Sequence, residues 1–169
     1  NATGFGYFRN FGQTRRQGLE LGASGEQGAV RWSADYTYLD ATFRSNETVN
    51  GEANSSRDAD GNIQIKSGNR MPLIPHHLFK LRADWAIGGG YSLSAGMLAA
   101  GSSLARGNEN GQYQADGKYY VGSGKNPGYA IFDLGGKYKA SPALTLFAQV
   151  NNVFDRRYST AAQLGATGF

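Results

Sequence analysis

The chain has 169 residues, with 25 Gly, 10 Tyr, 9 Phe, no Cys, and 17 basic against 13 acidic residues for a formal charge of +4. Without Cys there is no disulfide scaffold and no thiolate zinc site, and two adjacent histidines, His76 and His77, leave little for a His-ligated metal centre. No run of about 18 apolar residues is long enough for a transmembrane helix, and no signal peptide opens the chain, which begins at Asn1 as a processed or excised piece would.

Gly occurs at about twice its roughly 7% average, and the aromatics are mostly Tyr and Phe, which favour strands. No window carries a 3.6-residue period, whereas period-2 alternation recurs six times. The first predicted strand, residues 16–23, puts Gln17, Leu19, Leu21 and Ala23 on one face, and a tight connection at 24–28 follows. The second, 29–39, aligns Val30, Trp32, Ala34, Tyr36 and Tyr38, and a 32-residue connection at 44–75 follows it. The third, 78–87, aligns Phe79, Leu81, Ala83, Trp85 and Ile87 ahead of the Gly88-Gly89-Gly90 turn. The fourth, 91–105, aligns Tyr91, Leu93, Ala95, Met97 and Ala99, and a 21-residue connection at 107–127 leads onward. The fifth, 129–138, aligns Phe132, Leu134, Gly136 and Tyr138, and a short turn at 139–143 leads to the sixth, 144–155, with Leu144, Leu146, Ala148, Val150, Asn152 and Phe154 in line.

Tight and very long connections alternate, so an up-and-down antiparallel meander gathers every short turn at one end and every long loop at the other. Compact soluble domains rarely carry structureless loops beyond about 12–15 residues, whereas outer-membrane barrels pair short periplasmic turns with long extracellular loops. The charges agree with that pattern. Arg16, Glu20, Arg31, Asp35, Lys80, Arg82, Asp84, Asp133, Lys137 and Asp155 all fall on the parity opposite the apolar residues. A lipid-facing surface demands this, since a basic residue at the bilayer midplane costs roughly 2–4 kcal/mol, but the core face of a soluble β-sandwich or barrel demands it equally.

Aromatic placement favours the membrane. Drawn antiparallel, the strands bring Trp85, Tyr91 and Tyr138 beside the short turns, with Trp32 a little further in. Tyr36, Tyr38, Phe79, Phe132 and Phe154 fall towards the long loops, and an aliphatic band of Leu81, Ala83, Ala95, Met97, Leu134, Ala148 and Val150 lies between. Two belts around an aliphatic band match interfacial girdles.

Candidate chemistry is sparse. Both long loops are electrically neutral and no basic cluster interleaves with aromatics, so nucleic acid is not an expected partner. His76 and His77, adjacent on a strand, point to opposite faces and cannot easily chelate one ion. The run Asp58-Ala59-Asp60-Gly61-Asn62 has calcium-loop character but lacks the closing bidentate Glu, and reads as a turn. No nucleophile stands near a His and Asp, so no catalytic residue, metal or cofactor is predicted and the chain is expected not to be an enzyme. The strand charges are expected to pair as a ladder, Arg16 with Glu20 or Arg82 with Asp84. Loop residues Tyr113, Tyr119 and Tyr120 are the candidates for contact with a planar or aromatic ligand.

The sixth strand with its tail reads ALTLFAQVNNVFDRRY, and Asn151-Asn152-Val153-Phe154-Asp155-Arg156-Arg157-Tyr158 resembles the penultimate-strand signature of TonB-dependent outer-membrane receptors. Pro72, Pro75 and His77 are similar to the family's Pro-x-x-Pro-x-His entry to a barrel strand, continued here through Phe79 and Asp84. Gly128 and Tyr129 through Asp133 to Tyr138 resemble the strand before the signature, and Gly18-Leu19-Glu20 resembles the family's Gly-x-Glu core.

The resemblance implies an all-β fold in which residues 1–169 form the C-terminal part of a large transmembrane barrel, of about twenty-two strands. It implies a bacterial outer-membrane receptor that takes up a scarce extracellular ligand, most commonly a ferric siderophore, with TonB coupling exerted through a plug domain. No plug and no TonB box are evident in the chain. Six strands are fewer than the about eight a closed single-chain barrel needs, so flanking sequence or further copies are expected to complete it. Residues 159–169 read as the start of another long loop, although Phe169 imitates the family's terminal aromatic. A passive porin-like channel and a soluble all-β binding module are the alternative readings.

Overall fold

A computed structural model describes residues 12–165. Ten strands form: β1 (Thr14–Gln27), β2 (Val30–Phe43), β3 (Glu47–Asn50), β4 (Asn62–Ile65), β5 (His77–Gly88), β6 (Tyr91–Ala100), β7 (Ser103–Leu104), β8 (Lys125–Asn126), β9 (Tyr129–Lys139) and β10 (Thr145–Val150). Six of them make one antiparallel sheet in the order β1-β2-β5-β6-β9-β10, and the pairs β3-β4 and β7-β8 are separate two-stranded sheets. Each neighbour in the large sheet is the next long strand in sequence, which is the expected up-and-down meander.

Register carries the parity of the sequence into rows. Tyr36 pairs with Phe79, Ala34 with Leu81 and Trp32 with Ala83, and Ala95 pairs with Ala83 on one side and Leu134 on the other. Directly opposed residues share a face, so the apolar residues form one continuous surface. Among the described residues no second layer covers it: Leu21 is 56% exposed and Leu134 51%. A lipid-facing wall leaves such side chains uncovered by the protein's own layers, whereas a sandwich core buries them.

The two aromatic groups fall where alternation puts them. Tyr91 stacks on Tyr138 with ring centroids 4.2 Å apart at the short-turn end. Phe132 meets Phe154 edge-on at 5.3 Å towards the long loops. The fully buried side chains lie outside the sheet's middle, with Ile63 and Ile65 of β4 each 1% exposed.

The short turns are tight. Gly28 and Ala29 alone separate β1 from β2, Gln27 pairing with Val30, so these strands extend past the predicted boundary at 24–28. Gly88, Gly89 and Gly90 have φ of 103°, 59° and 83°, a left-handed run that only glycine adopts without strain. β2 runs on to Phe43, beyond its predicted end at 39, and two other strands stop short. The fourth strand stops at Ala100, and Ser103–Leu104 turn away to pair with β8. The sixth stops at Val150, because Asn152 and Asp155 take positive φ of 51° and 47° and bend the chain out of the ladder. Phe169 lies outside the described residues.

Candidate ligand site at the long-loop end

The two long connections are not structureless. The first is organised by the β3-β4 hairpin and the second by β7-β8, and a buried polar network locks them together. Asn54, fully buried, donates from Nδ2 to the Gly107 carbonyl at 2.8 Å and to Asn110 Oδ1 at 3.3 Å, while its Oδ1 accepts the Ser56 N–H at 2.9 Å. Asn110 Nδ2 donates back to Ser56 Oγ at 2.8 Å, and Asn108 Nδ2 donates to the Gly124 carbonyl at 2.9 Å. A buried amide must be paired on both of its ends, and each of these asparagines finds its partners across or along the loops.

On this base the three predicted tyrosines come together. Tyr119 and Tyr120 meet edge-on with centroids 4.7 Å apart, and Tyr113 meets Tyr120 edge-on at 6.0 Å. The Tyr113 hydroxyl donates to the Val121 carbonyl at 2.6 Å, and burial pushes its phenol up from the ordinary value. The turn that carries the other two is held by Asp116, whose Oδ1 accepts the N–H groups of Lys118, Tyr119 and Tyr120 at 2.9, 3.0 and 2.8 Å. Those backbone donors, Lys118 first, hold its carboxyl below the usual carboxylate range. Gln114 N–H donates to Ser55 Oγ at 2.7 Å, a second tie to the first loop.

Arg57, absent from the sequence-based candidates, joins the cluster from the first loop. Its guanidinium lies 5.7 Å from the centroid of the exposed Tyr119 ring, within cation–π range. Its Nη1 donates to the Glu52 carbonyl. The Tyr119 phenol, and after it the charge of Tyr120, hold this guanidinium above its ordinary pKa. No periodicity points to Arg57, because its neighbour lies 62 positions away in sequence. The cluster therefore offers the exposed Tyr119 ring, backed by the half-buried Tyr113 and Tyr120, with the Arg57 guanidinium beside it.

The other candidates are structural. Asp58 Oδ1 accepts the N–H groups of Asp60 and Asn62 at 3.0 and 2.8 Å, which closes the turn that sequence anticipated. His76 and His77 do not point to opposite faces as expected. His76 precedes β5 in a bend, and both rings lie beside Tyr38, with centroid distances of 5.7 and 5.4 Å. The Tyr36 hydroxyl and His77 Nδ1 are 2.8 Å apart, so this imidazole is occupied within the upper aromatic row.

On the charged face Arg82 grips Asp84 with two bonds of 2.9 and 3.1 Å, as the ladder required. Arg31 pairs with Glu26 at 3.3 Å. Arg16 and Glu20 do not meet: four strand residues span about 13 Å, beyond their joint reach. All these groups are largely exposed, and each pair contributes little to stability.

The TonB dependent receptor-like, beta-barrel family model matches residues 1–153. The chain is 30% identical over 158 residues to an Acinetobacter baumannii protein named "Probable TonB-dependent siderophore receptor PiuA", covering 92% of this chain and 19% of that protein. It is 30% identical over 155 residues to the metal-pseudopaline receptor CntO of Pseudomonas aeruginosa, covering 90% of this chain and 18% of the receptor. Among solved structures, the siderophore receptor PiuA from A. baumannii superposes with a TM-score of 0.69 at 23% identity over 93% of this chain and 20% of that one. The ferric-catecholate import receptor Fiu from E. coli, in its closed form, superposes with a TM-score of 0.63 at 23% identity over 95% of this chain and 20% of the receptor. The chain thus spans about a fifth of the length of these relatives. It belongs to the TonB-dependent receptor family, as a stretch of that family's β-barrel wall.

Proposed function

We infer that this chain is part of the wall of an outer-membrane receptor, that residues 1–169 form the C-terminal part of its barrel, and that it takes part in TonB-coupled uptake of a ferric siderophore or similar metal complex. The loops at 44–75 and 107–127 face the cell exterior, the three short turns face the periplasm, and TonB acts through a plug carried elsewhere in the receptor. The observation that carries the ligand assignment is the convergence of Arg57 and the exposed Tyr119 with the half-buried Tyr113 and Tyr120 at the long-loop end. Ring faces suit the planar groups of an iron chelator, and the guanidinium suits its negative charge. The named functions of the relatives support the same class of ligand.

The test is uptake of radiolabelled iron by cells that depend on the full-length receptor, presented with a panel of catecholate, hydroxamate and carboxylate chelators. Tyr119→Ala combined with Arg57→Gln should lower uptake of at least one chelator about tenfold or more, through a weaker apparent affinity, with surface expression unchanged. Uptake that is unaltered for every chelator removes these residues from the site. Uptake that persists without TonB points instead to a passive channel.

A further inference from the structure

The ring cluster at the long-loop end stands beside a carboxylate that the ligand reading leaves without a role. Glu52 and Arg57 share one tight stretch of the first loop. The Asn54 N–H donates to the Gly51 carbonyl at 2.7 Å, the Arg57 N–H to the Asn54 carbonyl at 3.2 Å, and Arg57 Nη1 to the Glu52 carbonyl. The Glu52 side chain lies against Gly61, where an added Cβ would stand 3.2 Å from its Cγ. Both Glu52 and Arg57 are exposed. Asp58 and Asp116 spend a carboxylate oxygen on closing their turns, whereas the Glu52 carboxylate forms no hydrogen bond or ion pair among the described residues.

Its charge still reaches the guanidinium. After the Tyr119 phenol and the charge of Tyr120, Glu52 helps to hold Arg57 above its ordinary pKa. At the second loop, burial first and the Asp116 charge second push the Tyr113 phenol up. The rings are thus flanked by two carboxylates, Glu52 and Asp116, and two cations, Arg57 and Lys118, the last on the turn that Asp116 closes. Each long loop as a whole carries as many acidic as basic residues. The cluster offers hydrogen-bond donors without a net positive field.

We propose that Glu52 makes this cluster selective for iron chelates of no net charge, a ferric trihydroxamate being the class that fits and a ferric tricatecholate the class turned away. Three singly negative hydroxamates neutralise iron(III), whereas three doubly negative catecholates leave the complex triply negative. Such a polyanion gives up hydration on reaching the rings and regains little where opposite charges cancel. A neutral mouth does not draw it in from solution either. An uncharged chelate loses no comparable hydration, stacks on the exposed Tyr119 ring and presents electron-rich oxygens to the Arg57 N–H groups. This rests on the ligand-site reading above.

The full-length receptor, folded in detergent, is titrated with an uncharged ferric trihydroxamate and with a ferric tricatecholate, and binding is read as quenching of intrinsic fluorescence. At about 50 mM NaCl the wild type should bind the trihydroxamate about tenfold tighter, and raising salt to about 500 mM should change that affinity by less than about twofold. Glu52→Gln should raise the tricatecholate's affinity several-fold at the lower salt, and the gain should vanish at the higher. Glu52→Asp should keep the wild-type preference. Equal or tighter binding of the tricatecholate by the wild type overturns the proposal, as does selectivity that Glu52→Gln leaves unchanged. A gain of the same size at both salts also overturns it, because the residue would then act through structure and not through charge. Tyr119→Ala with Arg57→Gln separates the two readings. Where selectivity fails but this pair weakens whichever chelate binds, the ligand site stands and the charge filter falls; where neither chelate binds, or binding ignores the pair, both fall.

Discussion

Asn54 in the first long loop and Asn110 in the second share a hydrogen bond of 3.3 Å, and Asn54 also reaches the Gly107 carbonyl at 2.8 Å. Two connections that are remote in sequence are thereby one body. Asn54→Ala removes both bonds and leaves the part-buried Gly107 carbonyl without its donor, while Asn110 Oδ1 keeps the Gln112 N–H, which costs about 1–3 kcal/mol of local stability. Hydrogen exchange should then speed up in both loops together, while the amides of β5 and β6 keep their protection. Acceleration confined to the first loop would show that the loops open independently.

That coupling had no signature in the sequence. The loops read as Asn-, Gly- and Ser-rich spacers because a polar network leaves no periodic trace, and Asn54 looks like any other loop asparagine until its partners 53 and 56 residues away are in place. Arg57 is hidden for the same reason. The tyrosines were legible because rings in a polar loop are conspicuous by type alone.

Asp116 gives the candidate site a pH dependence of known sign. Its carboxyl is held below the ordinary value, about 3.9, by the N–H groups of Lys118, Tyr120 and Tyr119. A depressed folded-state pKa contributes order that is fully present above the ordinary value and is lost as pH falls through the lowered one. Protection factors of the Tyr119 and Tyr120 amides should therefore hold from pH 7 to about 5 and decline in more acid solution. Asp116→Asn should flatten that decline. A decline of the same size in the variant would place the titration elsewhere.

The family signature is where periodicity misled. The two-residue alignment runs on through Asn152 and Phe154, so a strand to Asp155 is predicted, but Asn152 adopts φ 51° and ends the ladder. Its N–H donates to Asp133 Oδ1 at 2.8 Å, and its side chain exchanges bonds of 3.0 Å with both the N–H and the carbonyl of Arg156. Asparagine tolerates the left-handed region and hydrogen-bonds locally there. Asn152→Gly should lose about 1 kcal/mol from the missing side-chain bonds alone, Asn152→Ala about 1 kcal/mol more for the strained φ, and Asn152→Val most of all. Denaturant midpoints of the detergent-folded receptor measure this order. Alanine at or above glycine would mean that the turn does not need its left-handed residue.

The apolar face was the most legible feature, because a two-residue period survives any error in strand ends. Its lipid contact is tested by parity. Ala95 lies between Ala83 and Leu134 in one row, while Ser94, the next residue along β6, lies between Asp84 and Gly135 on the charged face. Ala95→Arg would bury a charge in hydrocarbon at a cost of roughly 2–4 kcal/mol, whereas Ser94→Arg would add a charge beside a carboxylate in the polar interior of the wall. Assembly of the full-length receptor, read as heat-modifiable migration, should fall sharply for Ala95→Arg and for Leu134→Arg and stay near wild type for Ser94→Arg. Equal assembly of all three would mean that the apolar face does not meet lipid. Failure of Ser94→Arg alone would mean that the two faces of the sheet are assigned the wrong way round.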